Sequence, residues 1–222
     1  MARPADPNAR EAVVTAARAE FARKGLRGAR IEDITAACGL SKGAFYLHFE
    51  SKEALFGELV HQFIGETSKT AEIRRAELTR LIETHGVITR DDVADKTDRY
   101  QRMIAFETAE DLRLLEHFWA YRDVVAVLIS GVQGTEFENV MWTLADAEVD
   151  RIKAEFGRFQ NLRVCRNDIP AEVFGSLIVG TYVLLAIRMS RLPEKPDLAE
   201  WARSLHLLIR EGSIPQSERS KV

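Results

Sequence analysis

The sequence predicts an all-α fold in which a short three-helix module precedes a longer helical body. Three observations carry that prediction. Apolar residues recur at three- and four-residue spacing along nearly the whole chain, strand-type alternation is almost nowhere found, and Gly, Ser and Pro cut the first fifty residues into short pieces while leaving longer runs behind them. A length of 222 residues allows one domain or a small domain joined to a larger one, and 46% hydrophobic content supplies a core without covalent staples.

Each element follows from local chemistry. Asp6-Pro7 reads as a helix start, with a capping acceptor and a proline at the first helical position. Val13, Ala17 and Phe21 repeat on one face until Gly25 stops the helix. Ile31, Ile34 and Cys38 carry a second helix that ends at Gly39, where a sharp turn needs positive φ. Ser41 caps a third helix expected to reach Phe49, and Ser51 opens a long fourth. The stretch Gly86–Asp92 is expected to be a loop. Helical periodicity resumes over Tyr100–Trp119, Arg122–Ser130 and Thr135–Phe159. Residues 160–170 connect to a strongly apolar helix that Pro170 starts at its N1 position and that runs to about Leu192. Asp197 caps a last helix to about Arg210, and the tail from Gly212 is expected to fray.

Composition narrows the function. Cys38 and Cys165 are too few for a disulfide framework and lack metal-type pair spacing, so a reducing cytoplasm is the expected compartment. The N-terminus lacks an apolar signal segment, and the longest apolar runs are shorter than a bilayer span or broken by Gly, so no membrane partner is expected. The formal net charge of −3 hides an asymmetry: residues 1–49 hold eight Lys and Arg against five Asp and Glu, and the remainder holds 23 against 29. A basic module on an acidic body presents a positive face locally.

The segment from Ile34 to Phe56, ITAACGLSKGAFYLHFESKEALF, places a glycine turn between two short helices. That is the layout of a helix-turn-helix, whose second helix enters the major groove, and equally of a plain helical hairpin. The content of the second helix favours the former. Around Phe45 and Phe49 it carries Ser41, Lys42, Gly43, Ala44, Tyr46, Leu47 and His48, with almost no bulk at its N-terminal end. Small residues let the backbone approach base edges, Lys42 reaches guanine acceptors, and Tyr46 and His48 suit phosphates.

These residues resemble the tetracycline-repressor (TetR) family of bacterial transcriptional regulators. The likeness is carried by AVVTAARAEFARKGLRGARIEDITAACGLSKGAFYLHFESKEALF, with Gly25, Ile31, Ile34, Ala37, Gly39, Leu40, Ser41, Gly43, Tyr46, His48, Phe49, Lys52, Leu55 and Phe56 at matching spacings. It covers about residues 10 to 60. The resemblance implies a helix-turn-helix DNA-binding domain over residues 1–50 and a helical effector-binding and dimerisation domain over 51–222. It further implies a homodimer on a palindromic double-stranded operator, more often a repressor than an activator, released by a small-molecule effector. Two departures stand out: Ala29 and Arg30 where a capping Thr or Ser is common, and Ala44 where a hydroxyl is frequent. Arg30 substitutes a charged phosphate contact, and Ala44 suits a thymine methyl. Lys52 is expected to meet phosphate. The second reading is a helical ligand- or protein-binding module of the same fold that does not bind DNA specifically.

Enzyme chemistry finds no constellation. Glu58-x-x-His61 has the spacing of a di-iron ligand pair, yet no second Glu-x-x-His accompanies it, and His85, His117 and His206 lack cysteine partners at zinc spacing. No catalytic residue, metal or cofactor is expected. The aromatic-rich middle instead suits an apolar or aromatic effector, with Met103, Phe106, Glu107, Phe118, Trp119, Phe137, Met141, Trp142 and Tyr182 as candidate pocket residues. For the dimer, the ridge Val179, Val183 and Ile187, with Leu205 and Leu208 on the last helix, is the expected surface. The fourth helix is the expected moving part between the two ends.

Overall fold

Ten helices and no strand form among residues 7–213, the residues that this computed structural model describes. Asp6 and the tail from 214 onward lie outside them. Helix α1 (Pro7–Gly28) is interrupted at Gly25, whose backbone sits at φ 69°, ψ 171°. α2 (Ile31–Ala37) ends in the Gly39 turn at φ 69°. α3 (Lys42–Tyr46) stops three residues short of the expected Phe49, because the amides of His48 and Phe49 both donate to the Phe45 carbonyl and the tightened turn swings Phe49 into the core. α4 (Lys52–His85) starts where the Ser51 hydroxyl accepts the Ala54 amide at 3.0 Å.

The stretch read as a loop after His85 contains α5 (Arg90–Ala94). A capping box forms it: the Thr89 hydroxyl accepts the Asp92 amide, and the Asp92 carboxylate accepts the Thr89 amide. α6 (Asp98–Ala120) and α7 (Arg122–Ser130) follow the expected periodicity. α8 (Val140–Asn161) starts later than expected, because residues 132–140 close a series of tight turns, with Thr135 bonded to Val132 and Val140 to Phe137. α9 (Ala171–Met189) has Pro170 as its N-cap, so it starts one residue later than expected and ends three short of Leu192, and α10 (Leu198–Ser213) starts with the Asp197 carboxylate accepting the Glu200 amide at 2.9 Å.

By their contacts the helices form two compact units. The first takes α1 to α3, α4 as far as Ser68, and residues 121–141 with α7. Its core is Val13, Ala17, Phe21, Leu26, Ile34, Phe45, Phe56, Val125 and Leu128, all at most 2% exposed. α7 packs along α1 at two fixed points. The Arg18 guanidinium makes a two-pronged ion pair with Asp123, both bonds 2.6 Å. The Leu26 amide donates to the Gly131 carbonyl at 2.9 Å, and a Cβ built on Gly25 would lie 3.0 Å from that same oxygen. Positive φ with fully extended ψ is a conformation that only glycine adopts readily.

The second unit holds residues 69–120 and 142 onward. Here α10 and α9 both pack on α6. A cluster of Ile88, Val93, Tyr100, Met103 and Val164, flanked by Leu78, Leu81, Ile104, Phe106 and Phe159, fills the end near α5. α9, with a mean hydropathy of 1.5, is by length and composition apolar enough to cross a membrane, contrary to the reading of its sequence run as too short or broken. Its Gly175 nevertheless meets α8 closely, a Cβ there lying 3.0 Å from the Val149 carbonyl.

Two outcomes follow. Gly25→Ala is expected to cost about 1 to 3 kcal/mol, read as a lowered thermal midpoint, since it combines backbone strain with a contact that the Gly131 backbone resists. Hydrogen bonds from Thr89 and Thr97, with Arg99 nearby, hold the Asp92 carboxyl at about 2. Its contribution is therefore present above the ordinary Asp range and lost as pH falls from about 4 toward 2. Asp92→Ala is expected to cost about 1 kcal/mol at neutral pH and to flatten that acid limb of the stability profile.

Candidate nucleic-acid interface and ligand region

Helix α3 is fixed from below. Phe45 and Phe49 are 0% and 3% exposed, with ring centroids 5.7 Å apart, and the Arg10 guanidinium lies 5.0 Å over the Phe49 ring. The Ser41 hydroxyl accepts the Ala44 amide at 3.2 Å and caps α3. With both phenylalanines inward, Ser41, Lys42, Gly43, Tyr46 and Leu47 are exposed, and Ala44 and His48 are half-buried. A side chain at Gly43 would meet only the Ser41 hydroxyl, at 3.7 Å, so the first turn presents bare backbone outward.

The three expected cations fare differently. Arg30 is exposed and occupies the N-cap of α2 in extended conformation; its carbonyl accepts the Asp33 and Ile34 amides, while its guanidinium caps nothing and makes no hydrogen bond or ion pair among the described residues. Lys42 pairs with Glu32 of α2, and that hydrogen bond raises the lysine pKa and lowers the glutamate's. Lys52 has another task. Its ammonium donates to the carbonyls of Arg27 and Ala29 at 3.0 and 2.7 Å, and its side chain is only 19% exposed. It anchors the link between α1 and α2, where the interrupted helix leaves carbonyls without partners. Lys24 supports the same corner by bonding Asp33.

In the second unit, α6 and α9 bring Met103, Phe118 and Tyr182 into the interior and leave Phe106, Glu107 and Trp119 half-buried. Phe137 and Met141 belong to the first unit, where Phe137 stands edge-on to Phe56 at 5.2 Å, and Trp142 is 66% exposed. The nine expected pocket residues therefore do not share one unit. Missing from the sequence reading is a polar group inside the second. The Tyr182 hydroxyl donates to Asp111 Oδ1 at 2.5 Å. His206, 7% exposed, sets Nδ1 3.7 Å from Asp111 Oδ2 and Nε2 3.9 Å from Glu107 Oε2. Burial pushes the Glu107 carboxyl up to about 7, burial and Glu107 push the Cys165 thiol up to about 12, and burial raises the Tyr182 phenol. The group was legible in two spacings: Glu107 and Asp111 one turn apart on α6, and Leu198, Ala202 and His206 repeating every four residues along the inner face of α10.

On the expected dimer ridge, Val179 is 8% exposed and turned into its own unit, while Val183, Ile187 and Leu205 are half-buried. The open stripe on α9 is Val173, Leu177 and Leu184, at 57, 63 and 67% exposure, and on α10 it is Leu207 and Leu208, at 51 and 71%. Because α9 is apolar all round, its sequence carries no phase to separate the two faces.

Residues 13–59 match the profile of the bacterial regulatory proteins of the tetR family. The chain is 53% identical over 45 residues to the uncharacterised HTH-type transcriptional regulator YerO of Bacillus subtilis, covering 20% of this chain and 16% of that protein. It is 44% identical over 50 residues to the HTH-type transcriptional repressor DhaR of Mycobacterium sp. strain GP1, covering 22% and 25%. The matched segments thus span a quarter or less of these curated relatives. Along almost its whole length the fold is similar to the ketosteroid transcriptional regulator KstR2 of Mycobacterium tuberculosis, with a TM-score of 0.67 and 15% identity over 95% of this chain and 97% of that one.

The cations give a divided expectation for DNA titrations. Arg30→Ala should flatten the slope of log affinity against log salt by about one unit. Lys52→Met should leave that slope unchanged and instead cost about 1.5 to 3 kcal/mol of stability, from its lost bonds to the Arg27 and Ala29 carbonyls. A slope lowered by Lys52→Met would return that lysine to the phosphate contacts.

Proposed function

We propose that the chain, whose residues 13–59 match the profile of the bacterial regulatory proteins of the tetR family, is a homodimeric, cytoplasmic transcriptional regulator of that family, a repressor that a small apolar or aromatic effector releases from a palindromic operator. The observation that carries this reading is the outward face of α3: small at its first turn, capped by Ser41 and held by two buried phenylalanines. Ser41, Lys42, Gly43, Ala44, Tyr46, Leu47 and His48 meet the major groove, with Arg30 on phosphate. Lys52 positions the module without touching DNA. One module reads half a site, so two copies must be held about 34 to 36 Å apart.

The body acts by setting that separation. Three covalent crossings, at 68/69, 120/121 and 141/142, lead into the first unit, where the sequence suggested one. α4 enters directly, and α6 passes through Tyr121 into α7, which grips α1 by Arg18–Asp123 and by the Gly131 carbonyl. A ligand that prefers a DNA-incompetent arrangement a hundredfold weakens the operator complex by about 2.7 kcal/mol per site, and operator weakens ligand binding equally. The proposed dimer surface is the open stripe of Val173, Leu177 and Leu184 with Leu207 and Leu208, in place of the Val179 ridge.

One observation favours the second reading, a ligand- or protein-binding module without specific DNA binding: of the three expected cations, Lys42 and Lys52 already have protein partners. Selection from random duplex DNA separates the two. The regulator enriches an inverted repeat whose affinity falls steeply with salt, and a chain that enriches no sequence is the second module. Leu184→Arg is expected to give helical monomers in analytical ultracentrifugation, with loss of the palindrome and residual half-site binding. A dimer that survives it would move the interface off α9.

A further inference from the structure

Inside the second unit, the polar group around His206 contains an unmade contact. His206 is buried, and its Nε2 has no hydrogen-bond partner among the described residues. The nearest carboxylate oxygen, Glu107 Oε2, stands 3.9 Å away, too far for a direct bond. The Glu107 side chain keeps 35% of its surface accessible although the surrounding protein dehydrates it strongly. That accessible surface leaves the carboxyl open to an occupant. Leaving the buried Nε2 unpaired costs about 1 to 3 kcal/mol, so a hydrogen-bonding group is expected to fill the gap.

The chemistry of the occupant follows from the two atoms. An oxygen placed about 2.8 Å from each spans a 3.9 Å gap with ordinary hydrogen bonds. A carboxyl oxygen and an imidazole nitrogen can present one donor and one acceptor across the gap. That is the complement of a single hydroxyl, which accepts from one side and donates to the other. A ligand ammonium offers donors only, and a ligand carboxylate would add a charge beside Asp111 and Glu107. On the far side Asp111, held by the Tyr182 hydroxyl, faces Nδ1 across 3.7 Å. Met103 lies one turn before Glu107 on α6, within the apolar cluster that Phe106 and Phe159 flank, so the surroundings of the carboxyl toward that turn are apolar.

We infer that the gap between Glu107 and His206 is the polar recognition point for a neutral, hydroxyl-bearing apolar ligand, an alcohol or a phenol, with Asp111 and Tyr182 as positioning residues. The inference rests on the reading of the second unit as effector-binding, and it specifies the ligand class.

Two matched pairs of probes test it by calorimetry on the full-length protein: 2-naphthol against 2-methoxynaphthalene, and 1-octanol against 1-methoxyoctane. At least one alcohol is expected to bind about tenfold or more tighter than its ether, because the ether cannot donate. Glu107→Gln should keep that preference, since an amide still donates and accepts. His206→Leu and Glu107→Met should each reduce the ratio to about one while leaving ether affinity within threefold. If one of the two fails to fold, the other carries the test. Ethers that bind as well as alcohols, or alcohols that do not bind at all, overturn the hydroxyl site. Alcohols that bind as expected but leave the operator complex unaffected overturn the effector reading and leave the site standing.

Discussion

The close approach of Gly25 to Gly131 is the constraint on which the first unit depends. Without side chains at either position, the backbone of an interrupted helix meets the end of α7, and the Leu26 amide completes the contact by donating to the Gly131 carbonyl. Arg18 and Asp123 close the same pair of helices farther along. The consequence reaches α3. The break at Gly25 redirects the chain toward α2 and exposes the carbonyls that Lys52 then satisfies, so the orientation of α2, and of the helix that follows it, is referred to a segment more than one hundred residues downstream.

This explains which parts of the molecule could be read from the chain. Val13, Ala17 and Phe21 share a face because burial selects a period near 3.6, and Gly25, Gly39, Ser41 and Ser51 mark turns and caps whose chemistry is local. Such features need no knowledge of distant residues. α5 escaped because its helix is made by a Thr89–Asp92 capping box within a polar stretch that has no apolar repeat. The partners of Lys52 were equally hidden, since a lysine bonded to backbone carbonyls looks in sequence like a lysine in solvent.

The body shows the complementary limit. Helices of strong amphipathic pattern, such as α10, declare their inner face, and His206 falls on it. α9 does not, being apolar on every side, and Val179 was assigned outward when it points in. The aromatic residues named from composition were scattered over both units, because aromatic content says how much apolar surface must be buried and nothing about where. What organises the interior of the second unit is its polar minority of Glu107, Asp111, Tyr182 and His206, whose need for partners is far more directional than the packing around them.

The ion pair between Lys42 and Glu32 bears on how such a helix would search a chromosome. Glu32 and Lys42 are both more than half exposed, so on the proposed reading the carboxylate is a weak competitor that phosphate displaces at small cost. Arbitrary duplex, which offers charge and little else, gains least from that exchange, whereas a cognate site can add base-edge contacts to offset it. On that reading, a carboxylate one helix away from α3 trades a little affinity on every sequence for a small margin between operator and background.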